Sequence, residues 1–242
     1  GTQNVSVGFN LYTNTTGDYN TAVGFRALYL NATTDSNTAI GHEALYNNVA
    51  ADNTAVGKDA LNANTTGDKN VAVGSFALDA NTTGADGVAI GYGALGSNTT
   101  GGLSVAIGKN ALTANTTANA QVAIGEFALT ANTTGTRNVA VGSSTLRVQT
   151  TANDNTAVGY QANRYNTSGS WNTSLGSQAL GANTTGASGT ALGYNAMLAN
   201  TTGSNNTAVG KEALITNTTA ANHTAIGYYA LKANTSGQQN TA

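Results

Sequence analysis

The sequence predicts an all-β chain, a parallel β-solenoid or β-roll with one coil per repeat of roughly 16–17 residues. Three observations predict this fold class: a repeat that runs through the whole chain, an aliphatic residue at one fixed repeat position, and an invariant glycine at the next position. Self-similarity at a short fixed period is typical of solenoids and fibres. We therefore expect a single repeat array over 1–242, without separate domains, that assembles into a trimeric fibre.

The repeat is defined by its invariant glycine, which recurs at one spacing, except that Gly24 and Gly57 each come one residue early. It stands at Gly8, Gly24, Gly41, Gly57, Gly74, Gly91, Gly108, Gly125, Gly142, Gly159, Gly176, Gly193, Gly210 and Gly227. This gives 14 units over 4–239 and a partial unit over 240–242. We number the positions of a unit from 1 at Asn70 to 17 at Asp86. Stacked at about 4.8 Å, the coils would form a rod on the order of 65 Å long.

Positions 2 to 4 of each unit predict a short strand, because β-branched residues flank a small one, as in residues 71–73. Position 4 is always Val, Ile or Leu, and position 9 is usually Leu. We expect both, represented by Val73 and Leu78, to lie inside the coil. Position 5, represented by Gly74, never carries a side chain, which predicts a left-handed backbone angle or a close contact between two backbones.

Position 9 has three exceptions to Leu, which we assign to Tyr12, Asn163 and Met197. Each coil then offers only one or two large apolar side chains for burial, together with two or three Ala. Burying a large side chain is worth about 1.5–3 kcal/mol, whereas ordering a residue costs roughly 1–2 kcal/mol of backbone entropy. The interior of a single chain is thin by this measure. We therefore expect three chains to share a central seam of small and aliphatic residues, and the uncapped ends to continue into a longer fibre.

The Asn-Thr-Thr-Gly element at positions 12 to 15 predicts a turn, because Asn and Gly tolerate left-handed angles and Asn and Thr bond nearby backbone. The same Asn opens an Asn-x-Thr sequon, so it is also a possible glycosylation site. These sequons are Asn64, Asn81, Asn98, Asn115, Asn132, Asn183, Asn200 and Asn217. The alternative is turn chemistry with a stacked ladder of Asn side chains.

Composition excludes several classes of function. Charged residues make up 8% of the chain and the net charge is −2, so no basic stripe is present to bind nucleic acid. The longest apolar runs are far shorter than the roughly 20 residues that cross a bilayer, so we expect no membrane insertion. Cysteine is absent, which removes disulfides and thiolate metal sites. Disorder is disfavoured by the strict phase of the aliphatic residues.

No arrangement of side chains predicts catalysis. His42 and His223 lie eleven units apart at different repeat positions, and we expect both to be solvated. The acidic residues are scattered over several positions, without the Gly-Gly-x-Gly-x-Asp pattern of calcium-binding rolls. A stack of near-identical coils also lacks the cleft that an active site needs. We expect no enzyme activity, no catalytic residue, no metal and no cofactor.

Aromatic residues gather at positions 6 and 7, the variable pair that we expect to face outward. They are Phe9, Phe25, Phe76, Tyr92, Phe127, Tyr160, Tyr194, Tyr228 and Tyr229. Aromatic rings beside polar partners can stack on sugars, or they can pack against another chain. Regular Thr residues at positions 2, 13 and 14 raise ice binding as a further possibility. Val replaces Thr at position 2 of five consecutive units, which weakens that interpretation.

The repeat departs from its own pattern over 138–171. There Thr145 replaces a small residue at position 8, Asn163 replaces Leu, and Tyr165 and the single Trp, Trp171, follow. A buried Asn without a partner costs about 1–3 kcal/mol, so we expect it to be bonded, hydrated or turned outward. We expect the coil to swell locally, with Tyr165 filling the space of the missing Leu. Trp, Tyr and Arg are typical of binding hot spots, so Tyr165 and Trp171 are candidate ligand residues.

The repeat core, for example residues 206–214 (Asn-Thr-Ala-Val-Gly-Lys-Glu-Ala-Leu), resembles the head repeats of trimeric autotransporter adhesins (the YadA-like head) and the repeat shafts of bacteriophage tail fibres. The resemblance covers 4–242 and implies a left-handed β-roll, a homotrimer and an extracellular place on a cell surface or a virion. It implies an extracellular structural fibre or adhesin shaft that presents a binding end. The alternative is a repeat surface that itself binds surface glycans, or less readily ice.

Overall fold

The computed structural model describes all residues 1–242 and contains strands and turns but no helix. The chain forms two compact units, Gly1–Gln121 and Val122–Ala242, and both are parallel β-solenoids built from the same repeated coil. Each coil contributes one three-residue strand from positions 2 to 4. The strands are β1 (Val5–Val7), β2 (Thr21–Val23), β3 (Thr38–Ile40), β4 (Thr54–Val56), β5 (Val71–Val73), β6 (Val88–Ile90), β7 (Val105–Ile107), β8 (Val122–Ile124), β9 (Val139–Val141), β10 (Thr156–Val158), β11 (Thr173–Leu175), β12 (Thr190–Leu192), β13 (Thr207–Val209) and β14 (Thr224–Ile226). The predicted fold class is confirmed.

Within each unit the strands pair in parallel and in chain order, β1 to β7 in the first and β8 to β14 in the second. The register matches equal repeat positions, so that Val71 lies beside Val88 and Ala72 beside Ala89. Every side chain therefore stacks on its equivalents one coil before and one coil after. Such columns make each repeat position a continuous feature of the surface or the interior.

The strand places position 3 inside and positions 2 and 4 outside, because successive side chains of a strand point to opposite faces. Ala72 is fully buried, whereas Val73 is half-buried and Ile226 is 62% exposed. The prediction that Val73 and its equivalents lie inside the coil is therefore wrong. The prediction for Leu78 is confirmed, since it is 1% exposed.

The interior consists of the Ala at positions 3 and 8, the Leu at position 9 and the Asn at positions 1 and 12. The large buried side chains form a column in each unit: Leu28, Leu45, Leu61, Leu78, Leu95 and Leu112 in the first, and Leu129, Leu146, Leu180, Met197 and Leu214 in the second. Each of these side chains contributes about 1.5–3 kcal/mol on burial. The Ala residues on either side keep the coil narrow enough for neighbouring backbones to bond.

Gly74 has both features that its invariance predicts. Its φ is +131°, and a Cβ there would lie 2.6 Å from the carbonyl oxygen of Gly91 in the next coil. Left-handed angles also recur at positions 7, 9 and 17, where Phe76, Leu78 and Asp86 have φ of 60°, 50° and 56°. An L-residue pays roughly 1–2 kcal/mol for this conformation. Hydrogen bonds from each of these three amides to a neighbouring coil, at 2.9–3.1 Å, hold it in place.

The first coil has a different alignment from the one that the glycine spacing suggests. The amide of Leu11 donates to the Ala27 carbonyl at 3.2 Å, as the amide of Leu28 does to Ala44 at 3.0 Å. Leu11 therefore occupies position 9, and the missing residue of this short coil lies between Gly8 and Leu11. The assignment of Tyr12 to position 9 is wrong, because Tyr12 is 66% exposed.

The structure contains no helix with the length and apolar character that crossing a membrane requires.

Candidate functional site

The most extended surface feature of each unit is its column of position 4 side chains, which we call the aliphatic ridge. Its members are Val7, Val23, Ile40, Val56, Val73, Ile90 and Ile107 in the first unit, and Ile124, Val141, Val158, Leu175, Leu192, Val209 and Ile226 in the second. Six of them are between 36% and 62% exposed: Val7, Ile40, Ile90, Ile124, Leu175 and Ile226. The Thr or Val at position 2 flanks the ridge on the same face. Contiguous exposed apolar surface of this kind marks an interaction site.

The Asn ladder is the second repeated feature, and it lies in the interior. Nδ2 of Asn81 donates to Oδ1 of Asn64 at 2.8 Å and to the Gly84 carbonyl at 2.9 Å. Asn98 continues the ladder by donating to Oδ1 of Asn81 at 2.8 Å. The ladder thus bonds the side-chain amides of successive coils to one another and closes the turn within the coil.

This geometry argues against glycans on the predicted sequons. An oligosaccharide transferase must reach the side-chain nitrogen, but in the folded coil that nitrogen is enclosed and already bonded. The sequon residues Asn64, Asn81, Asn98, Asn115, Asn132, Asn183, Asn200 and Asn217 are all 0–1% exposed. The Asn side chains are structural, as the turn interpretation of the sequence suggests.

The Thr at position 13 is also committed to the stack. The hydroxyl of Thr65 donates to the Thr82 carbonyl at 2.9 Å, and Thr82 donates to Thr99 at 3.0 Å. The same bond recurs between Thr184 and Thr201 at 3.0 Å. The protons of these hydroxyls are therefore used within the stack and cannot be donated to water, which weakens the ice-binding alternative.

Aromatic rings stack in two columns over the first three coils. The columns are Phe9, Phe25 and His42 at position 6, and Tyr12, Tyr29 and Tyr46 at position 10. Centroid distances are 5.9 and 5.5 Å in the first column, and 5.1 and 5.4 Å in the second, where the planes are within 5° of parallel. In these stacked columns the ring edges are exposed to solvent, whereas the faces between neighbouring rings are covered. The covered faces cannot stack on a sugar ring. These columns stabilise the first coils.

The remaining predicted aromatic residues do not form columns, although Phe76 meets Tyr92 edge to face at 5.8 Å and Tyr228 lies 3.9 Å from Tyr229 between ring centres. Tyr92, Tyr160, Tyr194 and Tyr228 are 49–64% exposed. Phe76, Phe127 and Tyr229 are half-buried. Each of these three lies under a cation from a neighbouring position: Lys58 at 4.7 Å, Arg147 at 5.1 Å and Lys232 at 3.7 Å. The outward direction expected for positions 6 and 7 is therefore observed.

The irregular coil 155–171 does not swell. The amide of Asn163 donates to the Ala179 carbonyl at 2.9 Å, the bond that Leu146 forms with Ala162 at 3.1 Å. Asn163 is fully buried, and both atoms of its side-chain amide lack a hydrogen-bond partner. Tyr165 is 48% exposed. The expectation that Tyr165 fills the space of the missing Leu is wrong. Of the three environments expected for Asn163, the side chain is neither turned outward nor bonded to another protein group.

Trp171 is 65% exposed at position 17, where φ is 59°. Its amide donates to the Asn153 carbonyl at 3.3 Å, which keeps the coil in register. Trp171 is not among the residues that line the groove beside Tyr165. The two aromatic residues that the sequence grouped therefore belong to different surfaces.

The two histidines have different environments. His42 is exposed, and its ring nitrogen lies within 4.8 Å of ligand atoms of Glu43 and Asp59. Each carboxylate already faces a cation: Lys58 lies 3.0 Å from Asp59, and Arg26 lies 3.3 Å from Glu43. This cluster is an ion-pair network at the surface.

His223, expected to be solvated, is 1% exposed and replaces the Asn of position 1. Its Nδ1 accepts a hydrogen bond from the backbone N–H of Asn240 at 3.2 Å, and its Nε2 lies 3.1 Å from the side-chain nitrogen of Asn234. Burial lowers the pKa of His223. The expectation failed because position 1 is an interior position, which the sequence did not reveal.

Fold and surface together define a class of protein: a parallel β-solenoid repeat protein whose exposed strand face carries an aliphatic ridge. In comparisons with known proteins, the chain matches no protein-family model, and no curated protein is significantly similar to it.

Proposed function

We propose that this chain is a shaft segment of an extracellular structural fibre, in which three copies associate through the aliphatic ridge and present a binding end. The observation that carries the proposal is the ridge itself. A Val, Ile or Leu occupies the outward position 4 of all 14 strands, and six of these side chains are 36–62% exposed. Chance placement at the surface would not preserve an apolar residue in one column.

The size of the ridge suits a stable interface. Positions 2 and 4 supply two outward side chains per strand over 14 strands. A specific interface of ordinary size involves about 20–30 residues on each partner. The Thr and Val at position 2 are small or β-branched, so they allow close approach between chains. Obligate interfaces are also the more apolar ones, which agrees with the Val, Ile and Leu side chains of the ridge.

An extracellular fibre also agrees with the resemblance of the repeat to adhesin heads and tail-fibre shafts. In a fibre of this kind the repeat sets length, and specific recognition belongs to a separate end. The buried Asn and Leu columns explain how one short sequence can be stacked many times. Each coil presents the same hydrogen-bonding groups to the next.

The experiment is a mass measurement on the chain and on two charge variants. Ile40→Lys combined with Ile90→Lys introduces charge on the ridge, where both side chains are 39–40% exposed. Thr66→Lys combined with Thr83→Lys introduces the same charge at exposed position 14. We expect trimers for the chain and for the Thr variant, and dissociation for the Ile variant with unchanged circular dichroism. Equal behaviour of the two variants would contradict the proposal.

A second candidate function is glycan binding by the repeat surface itself. The observation that favours it is the outward direction of exposed aromatic rings such as Tyr92, Tyr160 and Tyr194. Binding of a glycan array by this segment alone would support it. An inert segment that is trimeric would support the shaft.

A further inference from the structure

A groove on the second unit lies where the repeat departs from its pattern. It is lined by Gln161, Arg164 and Tyr165 of the coil 155–171, by Gln178 and Gly181 of the next coil, and by Leu198 of the coil after that. None of these residues belongs to the aliphatic ridge. The groove therefore remains open whether or not the ridge is covered by other chains of the proposed fibre.

The groove exists because position 10 carries a glycine between two large residues. Arg164, Gly181 and Leu198 occupy position 10 in three successive coils. A Cβ added to Gly181 would lie 2.9 Å from Cδ1 of Leu198 and 3.0 Å from the carbonyl oxygen of Gln178. Gly181 thus forms the floor, with the apolar Leu198 side chain at one end and the Arg164 guanidinium at the other.

Arg164 has donors that the protein leaves unused. It forms no ion pair, and its Nε is buried without a hydrogen-bond partner. The guanidinium carbon lies 4.9 Å from the centre of the Tyr165 ring, which holds it at the groove. A buried donor without a partner carries a penalty unless a ligand or water satisfies it.

The electrostatic environment favours an anion at this end of the groove. Arg147 occupies position 10 of the preceding coil, and the backbones of neighbouring coils are about 4.8 Å apart. Its guanidinium carbon lies 5.1 Å from the centre of the Phe127 ring, on the side away from Arg164. Like charges at directly neighbouring positions repel. The carboxylates of Asp154 and Glu212 in this unit face Arg137 and Lys211, not Arg164. A bound anion would relieve the repulsion.

The other lining groups fit a sugar ring. Leu198, Gly181 and the edge of Tyr165 provide carbon surface for the apolar face of a pyranose. Nε2 of Gln178 donates to Oε1 of Gln161 at 3.4 Å, and Nε2 of Gln161 donates to the Tyr160 hydroxyl at 2.9 Å. The remaining N–H groups and oxygens of these two side-chain amides offer donors and acceptors for ring hydroxyls. Free phosphate has no carbon surface to match this floor, and an acidic peptide has no ring. We propose that the groove binds an acidic sugar of the uronic acid class, with its carboxylate on Arg164.

This inference deepens the second candidate function and is independent of trimer formation. The probes are a tetrasaccharide of β-1,4-linked glucuronic acid and its neutral counterpart, cellotetraose, with inorganic phosphate and polyglutamate as further anions. Binding is measured by titration calorimetry on the whole chain. We expect the acidic tetrasaccharide to bind at least about tenfold more tightly than cellotetraose, since a hydrogen bond to a charged group is worth about 1.5–3 kcal/mol.

Variants locate the site. Arg164→Gln should weaken binding of the acidic tetrasaccharide at least about tenfold. Arg137→Gln removes the same charge from an exposed ion pair in the same unit and should leave binding unchanged. Gly181→Thr places at position 10 the residue that Thr113 and Thr130 provide in other coils, and should weaken binding by filling the floor.

Four results would overturn the inference. They are no binding of the acidic tetrasaccharide, equal binding of cellotetraose, equal loss with Arg164→Gln and Arg137→Gln, and equal affinity for phosphate or polyglutamate. The last result would assign the groove to anions in general. Circular dichroism and the mass of each variant are recorded as well. An unmodified chain that is monomeric but still binds the acidic tetrasaccharide would refute the trimeric shaft and leave the proposed groove intact.

Discussion

Replacing Asn163 by Leu should stabilise the second unit. Asn163 is fully buried in the column that holds Leu146 and Leu180 one coil away on either side, and neither atom of its side-chain amide has a partner. An unsatisfied buried polar group costs about 1–3 kcal/mol. A buried Leu contributes about 1.5–3 kcal/mol. The backbone bond from Asn163 to Ala179 matches that of a Leu coil, so a Leu fits without a change of register.

We expect Asn163→Leu to raise the free energy of unfolding by about 2–4 kcal/mol, the sum of a removed penalty and a gained burial, less the partial overlap of the two. Urea unfolding followed by circular dichroism measures the total. Native-state hydrogen exchange locates it, because slower exchange should be confined to the amides of residues 155–188. The reverse change, Leu180→Asn, is the matched control and should lower stability by about 3–5 kcal/mol.

The reasoning would be refuted by an unchanged or lower stability of Asn163→Leu. That result would mean that the Asn163 amide is satisfied in solution, for example by an internal water. Slower hydrogen exchange spread evenly over the amides of the second unit would also contradict the reasoning. Such a result would show that the buried column does not stabilise the unit locally.

Three further predictions concern other columns. Gly74→Ala should lower stability by about 3 kcal/mol or more, because φ is +131° and a Cβ would meet the Gly91 carbonyl at 2.6 Å; thermal unfolding checks this, and a neutral result would contradict the close contact. Asn81→Ala breaks the ladder and should lower stability by about 2–3 kcal/mol, whereas Thr83→Ala at the exposed position 14 should change it little. Burial lowers the pKa of His223, so the folded chain protonates this imidazole less readily than the unfolded chain does. The stability that the neutral His223 contributes should therefore be lost as pH falls below about 6.5. His223→Asn should remove that loss, and an unchanged pH profile of unfolding would contradict the assignment.

Much of the fold could be predicted from the repeat. The period fixed the size of the coil, the β-branched residues located the strand, and the invariance of Gly74 indicated both its left-handed angle and its contact with the next coil. These features follow from local sequence rules that act identically in every unit. The buried Leu78 was predicted for the same reason.

The sequence did not predict which face of each strand points into the coil. A three-residue strand flanked by turns has too short an alternation to show which face is inside, and hydrophobicity favoured Val73 over Ala72. The structure shows the reverse because narrow coils need a small residue inside. The left-handed angle of Leu78 was equally hidden, since Leu disfavours it and only the hydrogen bonds to the neighbouring coil impose it.

The candidate groove itself was not predicted. The sequence showed that the repeat changes over 138–171 and that Tyr165 lies there. It did not show the role of Gly181, because glycine at position 10 is unremarkable until Arg164 and Leu198 are seen on either side. Columns join residues that are one full repeat apart, so a site in this fold is a property of three coils and not of one motif.

The mass of the chain in solution tests the central claim, that the aliphatic ridge joins three copies into a fibre. Sedimentation equilibrium at micromolar concentration is the direct measurement. The account predicts a particle of three chains of 24.1 kDa each, which dissociates when Ile40 and Ile90 are replaced by Lys. A folded particle of a single 24.1 kDa chain, with its ridge exposed to water, would contradict it.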